Sequence, residues 1–152
     1  MMAHLTLNGR PLQYECEPTE MLLGLLNREG CTSARETCGI GVCGACTVLL
    51  DGEPVSGCLT LAAQAAGRAV TTAEGLPASD PVVRAFAAAR AFQCGWCTPG
   101  FVLTVRALLA ENRDPDDAEI AEALGGNLCR CGSYVKIADA VRAASRELRG
   151  AA

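Results

Sequence analysis

Residues 38–48 read Cys-Gly-Ile-Gly-Val-Cys-Gly-Ala-Cys-Thr-Val, and a fourth cysteine follows at Cys58. This segment places three cysteines close together and shows no regular hydrophobic period, which predicts a loop rather than a helix or strand. Its glycines, Gly39, Gly41 and Gly44, tolerate positive φ and let backbone N–H groups turn toward the sulfur atoms. The segment therefore predicts a loop that encloses a metal centre.

The spacing Cys38-x4-Cys43-x2-Cys46, followed by Cys58, is that of plant-type [2Fe-2S] ferredoxins. A hairpin predicted at Asp51-Gly52 allows Cys58 to return to the loop as the fourth ligand. A structural zinc site with four cysteines is the alternative, but zinc knuckles more often space each pair by two to four residues. Backbone N–H groups that point at the sulfurs also stabilise a reduced cluster. An iron-sulfur cluster is therefore the better interpretation of this group.

A second cysteine group consists of the pairs Cys94-x2-Cys97 and Cys129-x-Cys131. Thr98-Pro99 predicts a helix start directly after Cys97, so the free N–H groups and positive dipole end of that helix would face an anionic centre. The other pair lies between two predicted helices, so all four thiols could meet at one end of a bundle. Spacing alone leaves zinc and [2Fe-2S] level for this group.

Secondary-structure signals divide the chain into two halves, which makes it α+β. In the first half, Asn8-Gly9 and Asp51-Gly52 predict hairpins and Met21–Leu26 predicts a short helix. The second half predicts four helices, which span about 80–92, 98–111, 117–124 and 134–148. The buried stripe of the last helix is predicted at Val135, Ala138, Val141 and Ala144. A linker is predicted at 74–78, which gives domains of residues 1–76 and 77–152.

Composition narrows the possible functions. The 152 residues are 50% hydrophobic and carry a net charge of -4, which excludes a disordered chain and disfavours nucleic acid as a partner. No apolar stretch is long enough to span a membrane and no secretory signal is visible, so a cytoplasmic location is predicted. Ten cysteines in such a chain favour metal binding over disulfides.

Residues outside the two cysteine groups carry little sign of catalysis. Cys16 and Cys31 are predicted to pack as ordinary thiols, and His4, the one histidine, to be structural or solvated. Phe92 and Trp96 are predicted to belong to a core or to shield a cluster. Because no nucleophilic set or phosphate-binding loop is present, we expect the chain to transfer electrons and to perform no bond chemistry alone.

Three segments together resemble one family: Cys38–Val48, Gln93-Cys-Gly-Trp-Cys-Thr-Pro-Gly100 and Gly126-Asn-Leu-Cys-Arg-Cys131. That family is the small iron-sulfur subunit of molybdenum hydroxylases, the relatives of xanthine dehydrogenase, aldehyde oxidoreductase and aerobic carbon monoxide dehydrogenase. The resemblance covers nearly the whole chain. It implies a β-grasp ferredoxin domain over residues 1–76, followed by a four-helix domain over residues 77–152. Each domain would carry one [2Fe-2S] cluster, the first on Cys38, Cys43, Cys46 and Cys58 and the second on Cys94, Cys97, Cys129 and Cys131.

The resemblance also implies partners and a route for electrons. A large subunit would carry molybdenum on a pterin cofactor in a dinucleotide form, and a medium subunit would carry FAD, in a dimer of heterotrimers. The cluster of the helical domain would lie nearer the molybdenum, and the other cluster nearer the FAD. This chain would then be the non-catalytic electron-transfer subunit of an oxidoreductase. A free-standing two-cluster ferredoxin is the alternative.

The sequence near the second cysteine group shows one further match to the family and two departures from it. Gln93 matches the family glutamine that contacts the pterin, although a helix-end amide that satisfies backbone groups is the other interpretation. Gly132-Ser133-Tyr134 stands where the family has Thr-Gly-Tyr, and Trp96 stands where it has Phe or Tyr. Neither departure replaces a cysteine ligand, so the implied clusters are unaffected.

Overall fold

Five strands form one mixed sheet in the first half of the chain. The computed structural model describes residues 1–151. The strands are β1 (Met2–Leu7), β2 (Arg10–Glu15), β3 (Thr47–Leu50), β4 (Glu53–Ser56) and β5 (Ala69–Thr71). Their order across the sheet is β2-β1-β5-β3-β4, in which β1 and β5 are parallel and the other neighbours are antiparallel.

Both hairpins predicted from the sequence are confirmed. Asn8 and Asp51 adopt φ values of 50° and 54°, and the glycine after each also has positive φ. Two successive residues of positive φ give the turn twist that matches the right-handed twist of paired strands. These turns fix the register of β1 with β2 and of β3 with β4.

Helix α1 (Leu22–Arg28) packs its apolar face into the core of this half. Leu22, Leu25 and Leu26 are fully buried there because their i, i+3, i+4 spacing places them on one face. Cys16 and Cys31 lie buried in the same core, which confirms that they pack as ordinary thiols.

Four helices make up most of the second half: α2 (Pro81–Ala88), α3 (Thr98–Glu111), α4 (Asp117–Leu124) and α5 (Tyr134–Gly150). They enclose a second core that includes Phe101, Val105, Ile137 and Val141. All four begin where the sequence predicted, and the α+β class is confirmed. Among residues 1–151, the helices fall short of the length and apolar character needed to cross a membrane.

Two details of the predicted helices are wrong. α2 ends at Ala88 rather than near Phe92, because Arg90 adopts a φ of 48° and the Ala91 N–H bonds back to Phe86 O at 3.0 Å. This is a left-handed helix end built without the glycine that usually signals it. In α5, Val141 and Ala144 are buried as predicted, but Val135 is 74% exposed, and Ile137 and Ala140 complete the buried stripe.

A buried polar contact joins the two halves. Asn127, which is 4% exposed, donates from Nδ2 to Gly44 O at 3.1 Å and accepts from Thr104 Oγ1 at 2.9 Å. Its neighbour Leu128 donates its N–H to Cys43 O at 2.9 Å. The loop of the first cysteine group therefore lies directly against the segment that precedes Cys129.

Candidate iron-sulfur centres

The first cysteine group lies mainly on the loop between α1 and β3. The glycines of this loop adopt the left-handed φ values that the sequence predicted, which are 67° at Gly39, 72° at Gly41 and 69° at Gly44. The Val42 N–H points at Cys38 Sγ over 3.4 Å. Backbone N–H groups of Ile40, Cys43 and Val42 lower the pKa of Cys38 to about 6, because they stabilise its thiolate. The loop thus presents donors to a sulfur ligand.

The four thiols of this group meet as two contacting pairs. Cys43 contacts Cys38, and Cys46 contacts Cys58, which lies just after β4. Cys46 and Cys58 are buried, and burial raises the pKa of Cys46 to about 11. Metal coordination would deprotonate such a thiol outright. Two thiol pairs suit a [2Fe-2S] core, in which four cysteines hold two irons.

The four thiols of the second group also meet as two contacting pairs. Cys131 contacts Cys94, and Cys97 contacts Cys129. Burial raises the pKa of Cys97 to about 12, whereas the Trp96 N–H, 3.5 Å from Cys94 Sγ, lowers the pKa of Cys94. Helix α3 begins at Thr98, directly after Cys97, as predicted, so the positive end of that helix adjoins the site.

A cavity of about 390 Å³ occupies the second site, lined by Cys94, Cys97 and Cys129 together with Trp96. That volume far exceeds the roughly 30 Å³ of one liquid water, so it has room for a group larger than a single ion. Two buried hydroxyls flank the cysteines, Thr98 Oγ1 and Ser133 Oγ, and neither has a hydrogen-bond partner within residues 1–151. A cavity lined by sulfur ligands, with two unpaired hydroxyls on residues next to those ligands, fits an anionic cluster.

Within residues 1–151, no three His, Cys, Asp or Glu side chains are arranged to hold a single metal ion. The thiols instead lie in the pairs described above. The residues present therefore fit two [2Fe-2S] clusters, one for each group.

A second contact between the two sites involves residues that the sequence did not single out. Arg35 donates to Gly95 O and Trp96 O, both at 2.8 Å, and its guanidinium lies 4.7 Å from the centre of the Trp96 ring. The Trp96 indole N–H donates to Thr37 Oγ1 at 2.9 Å. Trp96 is 51% exposed and Phe92 is 43% exposed, so neither is a core residue, although Trp96 does cover the second site.

Two family profiles match the chain in succession. The 2Fe-2S iron-sulfur cluster binding domain matches residues 5–73, and the [2Fe-2S] binding domain matches residues 72–142. The nicotinate dehydrogenase small FeS subunit of Eubacterium barkeri is 47% identical over 143 residues, which cover 91% of each chain. The xanthine dehydrogenase iron-sulfur-binding subunit of Escherichia coli O157:H7 is 42% identical and covers 90% of this chain and 89% of its own. The chain belongs to the small iron-sulfur subunits of the molybdenum hydroxylase family.

Solved structures agree with this membership. A chain of quinoline 2-oxidoreductase from Pseudomonas putida 86 superimposes with a TM-score of 0.92 at 41% identity, over 98% of this subunit and 96% of that chain. Aldehyde oxidoreductase from Desulfovibrio gigas gives a TM-score of 0.94 at 31% identity, over all of this subunit but only 18% of that longer chain. The small subunit is thus a non-catalytic, electron-transfer component of an oxidoreductase complex.

Gln93, the expected pterin contact, lies beside the second site of the small subunit. Its Nε2 donates to Cys131 O at 3.1 Å, and the residue is exposed. This bond is the one expected of an amide that satisfies a backbone group. It leaves the amide oxygen available at the surface next to Cys94, so both interpretations of Gln93 remain compatible with its position.

Proposed function

We propose that this subunit passes electrons singly from a molybdenum-pterin site on a large partner chain, through two [2Fe-2S] clusters, to FAD on a medium partner chain. The observation that carries the proposal is the meeting of eight thiols as four contacting pairs at two adjoining sites. When bound, a [2Fe-2S] cluster supplies one-electron redox chemistry. The protein supplies ligands, burial and N–H donors.

The proposed ligands of the first cluster are Cys38, Cys43, Cys46 and Cys58, and those of the second are Cys94, Cys97, Cys129 and Cys131. Gly39, Gly41 and Gly44 shape the backbone around the first. The clusters lie in a β-grasp domain of residues 1–76 and a four-helix domain of residues 77–152. Two separate hydrophobic cores support this division, one drawn from residues 5–70 and the other from residues 82–144.

Exposed apolar side chains surround both sites and suggest where partners bind. Ile40, Val42 and Leu59 lie exposed at the first site, where Leu59 side-chain atoms pack close to Gly41. Trp96 and Leu128 lie exposed at the second site. Exposed apolar patches mark protein interfaces, and electron transfer requires the redox partners to approach the clusters closely. We assign the first surface to the FAD chain and the second to the molybdenum chain.

Gln93 lies beside the second of these surfaces, and we assign it the contact with the pterin. The molybdenum would be held by a dinucleotide form of that cofactor, within a dimer of heterotrimers. We place the complex in the cytoplasm, where cysteines stay reduced.

Cysteine substitutions test the ligand assignment. Cys38→Ser and Cys94→Ser should each remove one of two EPR-distinguishable reduced clusters and halve the iron content, because each belongs to a different ligand set. Cys16→Ser is the matched control, since Cys16 is a buried cysteine that belongs to neither proposed ligand set, and it should keep both signals. If either ligand substitution left both signals intact, the assignment would be wrong.

Purification of the native complex tests the partners. The small subunit should co-purify with two larger chains, molybdenum and FAD, because its two exposed apolar surfaces require covering. Metal and flavin analysis of the eluate provides the measurement. Recovery of the subunit with iron but without molybdenum, FAD or larger chains would instead identify a free-standing two-cluster ferredoxin.

A further inference from the structure

Ser133 occupies an unusual position for a buried serine. It precedes α5, lies two residues after Cys131 and is 5% exposed. A serine at a helix start commonly accepts a backbone N–H of the first turn through its hydroxyl. Here that bond is absent, and the hydroxyl has no hydrogen-bond partner within residues 1–151. Buried hydroxyls are rarely left unpaired, so a sulfur atom of the neighbouring cysteine group is expected to accept a hydrogen bond from it once the site is filled.

The surroundings of Ser133 identify that acceptor. Its backbone N–H already donates to Cys129 Sγ at 3.4 Å. The hydroxyl of the same residue therefore lies near the Cys129 sulfur, although it makes no hydrogen bond there within residues 1–151. The Cys129 N–H donates to Tyr134 Oη at 2.8 Å, which holds this short segment in place.

We propose that the Ser133 hydroxyl donates a hydrogen bond to the Cys129 thiolate of the second cluster and raises the potential of that cluster. The inference rests on the ligand set given under the proposed function. The step concerned is the uptake of one electron by the oxidised cluster, supplied by the molybdenum site in the complex or by dithionite in a titration. Reduction adds negative charge to the sulfur ligands, so a donor stabilises the reduced form more than the oxidised form.

The test is an EPR-monitored redox titration of the purified complex carrying Ser133→Ala. We expect the equilibrium constant for reducing the second cluster to fall about tenfold, which is about 59 mV for a one-electron couple, while the first cluster keeps its potential. Ser145→Ala is the matched control, because Ser145 is a buried serine of the same helix whose hydroxyl already donates to Arg113 O at 2.7 Å. It should leave both potentials unchanged.

Ser133→Thr and Ser133→Val form an isosteric second pair, in which only threonine keeps a hydroxyl. The threonine variant should stay near the native potential and the valine variant should follow alanine, which keeps the test decisive if the alanine variant fails to hold the cluster. The proposal is overturned if the second cluster assembles with an unchanged potential in Ser133→Ala, or if both clusters shift together. Failure of Cys94→Ser to remove a signal would instead refute the ligand assignment, so the two failures are distinguishable.

Discussion

Gly44 and Gly100 show how single residues set the distance between the two sites. A Cβ at Gly100 would lie 2.2 Å from Gly44 O, and a Cβ at Gly44 would lie 2.4 Å from Asn127 Nδ2. Gly44 also has a φ of 69°, which few other residues adopt. The backbone of the first cysteine loop can therefore approach the start of α3 only because both residues lack a side chain.

Gly100→Ala tests this close approach. Alanine is favoured over glycine in a helix by up to about 1 kcal/mol, but the clash is with a backbone oxygen that cannot rotate away. We expect a net loss of about 1–3 kcal/mol in the free energy of unfolding, measured by chemical denaturation of the complex-free subunit with its clusters bound.

The control for this substitution is Gly126→Ala, at the same junction. A Cβ there has no atom of residues 1–151 within 4 Å outside its immediate chain neighbours, so the change should cost less than about 0.5 kcal/mol. Equal effects of the two substitutions would show that the close approach at Gly100 does not limit stability.

At the scale of elements, side-chain caps decide where two helices of the second half, α2 and α4, begin. The Asp116 side chain accepts from Glu119 N at 2.8 Å, and Glu119 Oε2 accepts from Asp116 N at 2.8 Å, which forms a capping box at α4. Asp80 caps α2 in a more buried setting, where its side chain accepts from Val82 N at 2.9 Å. It also forms an ion pair with Arg106 of α3. Asp80 thus joins the start of one helix to the side of the next.

Asp80→Ala and Asp80→Asn separate the cap from the ion pair. Alanine removes both interactions and should lower the free energy of unfolding by about 2 kcal/mol, whereas asparagine keeps a capping oxygen and should cost roughly half as much. Thermal unfolding followed by circular dichroism provides the measurement. An asparagine variant as unstable as the alanine variant would show that the ion pair, and not the cap, dominates.

At the scale of the whole molecule, the two halves meet where α3 packs against β3 and β4, around a buried polar contact centred on Asn127. The segment that connects the two cores is partly held against the first half of the chain, because Ser33 donates its N–H to Glu74 Oε1 of this segment at 2.7 Å. Pro77, Ala78 and Ser79 are exposed. The junction, more than this connection, should therefore hold the two cysteine sites together.

Cleavage of the connection tests that expectation. A site-specific protease sequence inserted between Pro77 and Ala78 should allow cutting without dissociation, so the fragments should co-elute in size-exclusion chromatography. Asn127→Leu should let the cut fragments separate, because it removes the bond to Gly44 O and leaves Thr104 without its acceptor. Separation of the native fragments would show that the connecting chain is required.

Local chemistry made much of this protein predictable. Asn8-Gly9 and Asp51-Gly52 specify hairpins through positive φ, and Asp80-Pro81 and Asp116 specify helix starts through their capping groups. The cysteine spacings, with the glycines between them, identify iron-sulfur chemistry because ligand geometry is set within a few residues. The hairpins, helix starts and cysteine groups could be predicted because each is caused by residues that lie close together in the sequence.

Other features arise only when distant segments meet. Val135 is apolar, yet it is exposed, because the neighbouring helices pack against the face of α5 that carries Ile137. The end of α2 at Ala88, which the positive φ of Arg90 fixes, and the bonds of Arg35 to the loop after Cys94 leave no sequence signal. The sequence by itself determined the element types and the two cysteine groups. Only the tertiary structure decided how Cys94 and Cys97 pair with Cys131 and Cys129 and how closely the two groups approach, because those contacts join residues more than thirty positions apart.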